Sequence, residues 1–220
     1  IMKAVIFDMD GVLIDTEPLN DLHMVEFLKK LGINKSDEYI KEYLQKLRGT
    51  HAKLAWSQTI KDFNLTTPLD ELITNVRISY LKYLSSLDLE PVPGVIPFLR
   101  KLKKENIILG VASSAYHKRI NMLLKVCKLT DFFDVILSGD HVQHGKPDPE
   151  IYIKTAELLK RDPKDCIVFE DATSGILAAK AAGMKVIGYR GGDHNKQDLS
   201  QADKIINSFT KATPSLLKDL

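Results

Sequence analysis

The placement of the short apolar runs constrains this chain most. One run, Ala4-Val5-Ile6-Phe7, stands beside the N-terminus; the others come after position 100, at 107–112, 135–137, 167–169, 185–189 and 204–206. Runs of this length read as buried strands. Helical spacing fills the gaps between the later ones, at roughly 95–105, 116–126, 149–160 and 173–182. Such alternation implies a parallel sheet with helices on both faces, a Rossmann-like doubly wound α/β core.

The first strand has no partner until after a long block that reads as helices only. Thr16 can cap the first helix, Pro18 suits its first turn, and Leu19, Leu22, His23, Phe27 and Leu31 recur at helical spacing before Gly32. The same periodicity runs through Ile40, Leu44 and Leu47, then Leu54, Trp56, Ile60 and Phe63, then Leu69 to Leu84. An all-helical domain inserted after the first strand explains this economically. The reading is an α/β core of 1–15 and 91–220, with a helical cap of 16–90. About seventy residues is too long for an ordinary connection.

Composition excludes several classes. Lys and Arg total 31 against 29 Asp and Glu, a net +2 too balanced for a nucleic-acid or acidic-membrane partner. No apolar stretch reaches the ~20 residues needed to span a bilayer. The chain enters a strand at once, so no signal peptide is expected. Cys127 and Cys166 are too few for a disulfide framework and lack metal-site spacing, and Cys166 abuts a core strand. A cytoplasmic monomer is the expectation.

Asp8-Met9-Asp10-Gly11-Val12 follows the first strand directly. In extended chain, residues two apart point the same way, so Asp8 and Asp10 can project together from the strand tip. Adjacent carboxylates resist full ionisation unless a cation lies between them or one keeps a proton. That suits a Mg2+-dependent site in which one carboxylate attacks phosphorus and the other moves a proton. It equally suits an acidic loop that merely ends a strand.

Further positions bear on the choice. Ser113-Ser114 closes the run at 107–112, Gly145-Lys146-Pro147-Asp148-Pro149 places a lysine before a helix, and Glu170-Asp171 closes the run at 167–169. Open α/β sheets bind ligands at such strand ends. Asp, Ser, Lys and Glu-Asp in this order resemble the four motifs of the haloacid dehalogenase-like superfamily of phosphotransferases, along nearly the whole chain. An insertion straight after the first motif resembles its helical-cap subclass. The stretches 8–19, 142–149 and 168–172 resemble its branch of small phosphometabolite phosphatases and β-phosphoglucomutases.

The resemblance implies Asp8 as the nucleophile of an aspartyl-phosphate and Asp10 as the acid that protonates the leaving alkoxide, then the base that activates water. It implies Ser113 and Lys146 as ligands of the phosphoryl group. Mg2+ would be held by Asp8, Asp10, Glu170 and Asp171, whose hard oxygens suit it. Dehalogenases lack the second aspartate, because halide leaves without a proton. Arg48 and Gly49, in a cap loop, with Ser114 and Arg77, are candidates for contact with the rest of the substrate. The implied reaction is hydrolysis of a small phosphorylated metabolite, a sugar phosphate or nucleoside-type monophosphate. The alternative is a phosphosugar mutase of the β-phosphoglucomutase type, whose cap histidine is replaced here by Asn20, a residue unable to relay a proton. His23 falls on the apolar stripe and reads as a packed core histidine. Lys53 invites comparison with the Schiff-base lysine of phosphonoacetaldehyde hydrolases, though its spacing differs. A phosphoryl-accepting receiver domain would lack the helical insertion, and neither a GxGxxG nor a GxxxxGK[ST] run occurs.

Overall fold

The computed structural model describes residues 4–47, 52–192, 195–218 and 220, and all structural statements concern these. The chain divides into two compact units, Ile1–Asp15 with Leu89–Leu220, and Thr16–Asp88. The second crossing thus falls slightly before the expected Pro91. Leu89 is buried, and its carbonyl accepts a hydrogen bond from the Cys127 thiol of the larger unit, 3.6 Å away.

The larger unit is built on six parallel strands: β1 (Ala4–Phe7), β2 (Ile108–Ser113), β3 (Val135–Ser138), β4 (Cys166–Glu170), β5 (Lys185–Tyr189) and β6 (Lys204–Ile206). Their spatial order is β3-β2-β1-β4-β5-β6. The order reverses at β1, so the crevice beside its carboxyl end is the topological switch point of the sheet. β1 is buried along its whole length, as its uninterrupted apolar sequence requires when both faces are covered.

Each face has its own helices. Ala4, Ile6, Ala112 and Val168 share a core with Ile151, Tyr152 and Ala156 of α7 (Glu150–Leu158) and Ile176 and Ala179 of α8 (Thr173–Ala181). Phe7 points the other way. It stacks on Phe169 at 4.9 Å and meets Phe98 of α5 (Val95–Lys104) edge-on at 6.4 Å. α5 buries Val95, Phe98, Leu99 and Leu102, a spacing that gives one apolar stripe. α6 (His117–Val126) follows β2 and packs beside β3.

The smaller unit holds α1 (Glu17–Lys30), α2 (Asp37–Leu47), α3 (Ala52–Asp62) and α4 (Leu69–Ser85). Its core is Val25, Phe27, Leu28, Ile33, Ile40, Trp56 and Leu72. His23 is packed among Phe27, Tyr80 and Tyr83, with Nε2 2.8 Å from the Ser79 hydroxyl. Burial lowers its pKa and favours the neutral ring. Leu22 and Leu54 depart from the expected stripe, at 52% and 64% exposure. The inward face of α1 runs instead through His23, Val25, Phe27 and Leu28. Among the described residues no helix is long and apolar enough to cross a membrane.

Candidate active site

The strand registers build the site. Phe7 pairs with Val111 on one side and Phe169 on the other, so one residue further Asp8 stands level with Ala112 and Glu170. The Lys146 ammonium is hydrogen-bonded to all three positions. It donates to Asp8 Oδ1 at 2.6 Å, Glu170 Oε1 at 2.6 Å and the Ala112 carbonyl at 3.3 Å. One cation thereby joins the carboxyl ends of three adjacent strands.

Lys146 reaches that place because its loop is fastened to the start of α7. The Glu150 carboxylate accepts the backbone N–H groups of Gln143 and His144 at 3.0 and 2.9 Å, and pairs with Lys154 at 2.6 Å. The ammonium and those N–H groups hold Glu150 down at a pKa of about 2. Asp148 Oδ1 accepts the Glu150 N–H, closing the turn.

Glu170 is held on every side. Besides Lys146, its Oε1 accepts the Tyr152 hydroxyl at 2.8 Å, and its Oε2 accepts the backbone N–H groups of Asp171 and Ala172, each at 3.0 Å. Its side chain is 1% exposed. Gly175 makes the space for it, since a Cβ there would overlap the Glu170 carboxylate. Gly11 does the same for Asp171, and its φ of +78° is one that residues with a side chain rarely adopt.

Single carboxylate oxygens of Asp8, Glu170 and Asp171 lie within 4.8 Å of one another. Burial pushes the Asp8 carboxyl up to about 7; Lys146 opposes this, while Glu170 and Asp10 add to it. Burial works against the Lys146 charge, but Asp8 and Glu170 outweigh it and hold the ammonium well above the usual lysine range. Converging carboxylate oxygens in a nearly dry place are hard donors of the kind that a divalent cation such as Mg2+ takes.

The other expected residues separate. Asp10 does not enter the trio through its carboxylate, which instead accepts from Arg119 Nη2 at 2.5 Å. Ser113 ends β2, 1% exposed, and its hydroxyl oxygen accepts the Ala115 N–H at 3.2 Å. Ser114 follows it and is exposed. Arg77 lies on an exposed position of α4 in the helical unit, and Asn20 on an exposed position of α1. Arg48 and Gly49 lie outside the described residues. A cavity of about 160 Å³ opens beside Asp171, bordered by Gly11, Asp15, Pro93 and Arg190. It takes water or a small polar group, since drug-sized ligands fill roughly 300–1,000 Å³. Burial raises the thiols of Cys127 and Cys166 to about 11, which makes both poor nucleophiles.

Sequence reading missed Tyr152 and Arg119. Tyr152 sits at an apolar position of α7, and its hydroxyl tip was the only sign of a polar partner. Arg119 sits 109 positions from Asp10, in a helix where an arginine ordinarily reads as solvated.

A family model described as haloacid dehalogenase-like hydrolase matches residues 5–189. A phosphorylated carbohydrates phosphatase of Thermotoga maritima is 34% identical over 186 residues, 84% of each chain. The β-phosphoglucomutase of Bacillus subtilis is 30% identical over 224 residues, covering 99% of this chain and 95% of that protein. The crystal structure of CbbY from Rhodobacter sphaeroides in complex with phosphate superposes with a TM-score of 0.85 at 25% identity, covering all of both chains. With most of its length matched and its strand-end residues converging beside β1, the chain belongs to the haloacid dehalogenase-like hydrolases, in the branch of phosphatases and β-phosphoglucomutases.

Proposed function

We propose that this chain is a Mg2+-dependent phosphatase that hydrolyses a small phosphorylated carbohydrate, or a nucleoside-type monophosphate, through an aspartyl-phosphate on Asp8. The observation that carries the proposal is the Lys146 ammonium, 2.6 Å from both Asp8 and Glu170, with the Asp171 carboxylate in reach of both. An Asp8 oxygen attacks phosphorus, the ester P–O bond breaks, and Asp10 gives its proton to the departing oxygen. Water then attacks the phosphorus of the acyl phosphate, Asp10 takes the proton, and phosphate leaves with Asp8 regenerated. Proton transfer of this kind contributes about 10²–10⁴-fold.

Lys146 binds a phosphoryl oxygen while still fixing the Asp8 rotamer, and the Ser113 hydroxyl donates to a second oxygen. Asp8, Glu170 and Asp171 would hold Mg2+. When bound, it would lower the Asp8 pKa that burial raises and hold the carboxylate beside a phosphate dianion. Arg48, Gly49, Ser114 and Arg77 are the residues proposed to choose the rest of the substrate. The phosphorylated carbohydrates in the name of the Thermotoga relative support the carbohydrate class. We further propose a cytoplasmic monomer; both cysteines are free and buried, as suits a reducing compartment.

The test is a screen of phosphorylated metabolites with Mg2+, run with wild type and Asp8→Asn. Wild type should turn over at least one sugar phosphate or nucleoside monophosphate, and Asp8→Asn none; an active variant would end the nucleophile assignment. The B. subtilis relative favours a second reading, the phosphosugar mutase. Interconversion of glucose 1- and 6-phosphates, primed by a hexose bisphosphate, would select it. Asn20 argues for hydrolysis instead.

A further inference from the structure

Four carboxylates gather at the carboxyl ends of β1 and β4, namely Asp8, Asp10, Glu170 and Asp171, and two cations hold three of them. Lys146 takes Asp8 and Glu170. Arg119 takes Asp10 through a charge-assisted contact of 2.5 Å, its side chain 16% exposed and that of Asp10 29%. The two cations come from different elements. Lys146 arrives from the loop before α7, and Arg119 from the first turn of α6. That turn is fixed at its own base, because the His117 N–H donates to Asp140 Oδ2 at 2.8 Å and the Arg119 N–H to the Tyr116 carbonyl at 3.0 Å.

Position in the chain makes this division necessary. Asp10 is two residues from Asp8, in a turn that the Asp10–Ile14 bridge and the left-handed Gly11 hold shut. A carboxylate two residues from one of those ligands is a ready additional ligand for any hard cation they bind. A carboxylate oxygen coordinated to a divalent ion cannot carry a proton, whereas the Arg119 hydrogen bond engages Oδ1 without coordinating it to a metal. A separate guanidinium, anchored on another helix, keeps the two duties apart. We infer that Arg119 is a positioning residue, holding the Asp10 carboxylate away from the Asp8–Glu170–Asp171 trio so that it serves proton transfer and not cation ligation. The inference rests on the acid–base role proposed for Asp10.

The experiment uses the full chain with Arg119→Met, Arg119→Lys, Asp10→Asn and the Arg119→Met/Asp10→Asn double variant. Each is assayed with a sugar phosphate found in the screen and with p-nitrophenyl phosphate, whose leaving group needs no proton. Arg119→Met should lower kcat on the sugar phosphate about tenfold or more, a fraction of what general acid catalysis supplies. On p-nitrophenyl phosphate the single-turnover release of nitrophenolate, which needs no proton from Asp10, should stay within about threefold of wild type, while the hydrolysis of the aspartyl-phosphate that follows should slow. Arg119→Lys should recover part of the loss. The double variant should be no slower than Asp10→Asn alone. Calorimetric titration with Mg2+ alone should show severalfold tighter binding to Arg119→Met, because Asp10 is released toward the trio.

Equal losses in single-turnover cleavage of both substrates, additive losses in the double variant, or unchanged Mg2+ affinity would overturn the inference. If Arg119→Met fails to fold by circular dichroism, Arg119→Gln carries the same comparison. Failure of the underlying reading looks different. In that case Asp10→Asn alone would slow single-turnover cleavage of both substrates equally, whatever Arg119 does.

Discussion

The two units of this protein spend their polar side chains differently. In the sheet unit, Asp8, Lys146 and Glu170 are nearly dry, with side chains 10%, 7% and 1% exposed, and they bind one another. In the helical unit the core is almost wholly apolar, and its charged groups face water, as at Lys29 with Asp37. Burying charge is costly unless each ion is paired and hydrogen-bonded, so a cluster like that around Lys146 persists where geometry must be held for chemistry. Surface pairs contribute little and fix little. The comparison thus places the buried, mutually bound ions in the sheet unit and leaves the helical unit with charges that water can reach.

The largest expected effect breaks the buried cluster. Lys146→Met should lower kcat by about 10³-fold, as loss of a preorganised charge does. It should also cost about 3–5 kcal/mol of stability, because two buried carboxylates lose their cation. Turnover kinetics and a urea melt measure both. The counterpart in the helical unit is Leu72→Ala, at a fully buried position. A cavity there should cost about 2–5 kcal/mol with no selective change in the chemistry of the folded enzyme. A loss of kcat comparable to that of Lys146→Met, in protein shown to be folded, would erase the distinction.

pH separates the units by sign. The folded pKa of Asp8 is raised from 3.8 to about 7, so between those values the folded state binds more protons than the unfolded one. Stability of metal-free protein should therefore fall as pH rises across that window, relative to Asp8→Asn, and Mg2+ should remove the fall. His23 is shifted down from 6.5 by burial, so its contribution is present above that value and lost as pH drops below it. Melting temperatures of wild type, Asp8→Asn and His23→Gln between pH 4 and 8 should show opposite slopes for the two sites. The smallest effect is that of Arg77→Ala, which should raise KM by no more than about fivefold and leave kcat intact, the mark of binding made equally in ground and transition states.

Much of this was legible because each strand-end group follows an apolar run. Asp8 after Phe7, Ser113 after Ala112 and Glu170 after Phe169 needed only period and position to be placed near one another. Lys146 needed the family's motif order as well, for nothing local distinguishes it from a solvated lysine. The Arg119–Asp10 pair was not legible, since helix-on-sheet packing brings it together and no spacing encodes that. The apolar stripe misplaced Leu22 and Leu54 because periodicity marks a helix without saying which part of its apolar face is covered. The adjacency of Asp8 and Asp10 already implied resistance to ionisation without a cation, but the main cause, the burial that raises the Asp8 pKa to about 7, could not be read from the sequence.

The backbone where the chain leaves and re-enters the sheet unit has a practical consequence. The Val92 N–H donates to the Leu13 carbonyl at 2.8 Å, stitching the outgoing and returning segments together just inside the boundary between units. Whatever is spliced between those segments begins and ends at neighbouring points, so closing it adds little entropic burden even when its length changes. Residues 16–88 can on this account be treated as an exchangeable cassette. A chimera carrying the corresponding helices of a relative should keep the hydrolytic machinery and inherit the donor's taste in substrates.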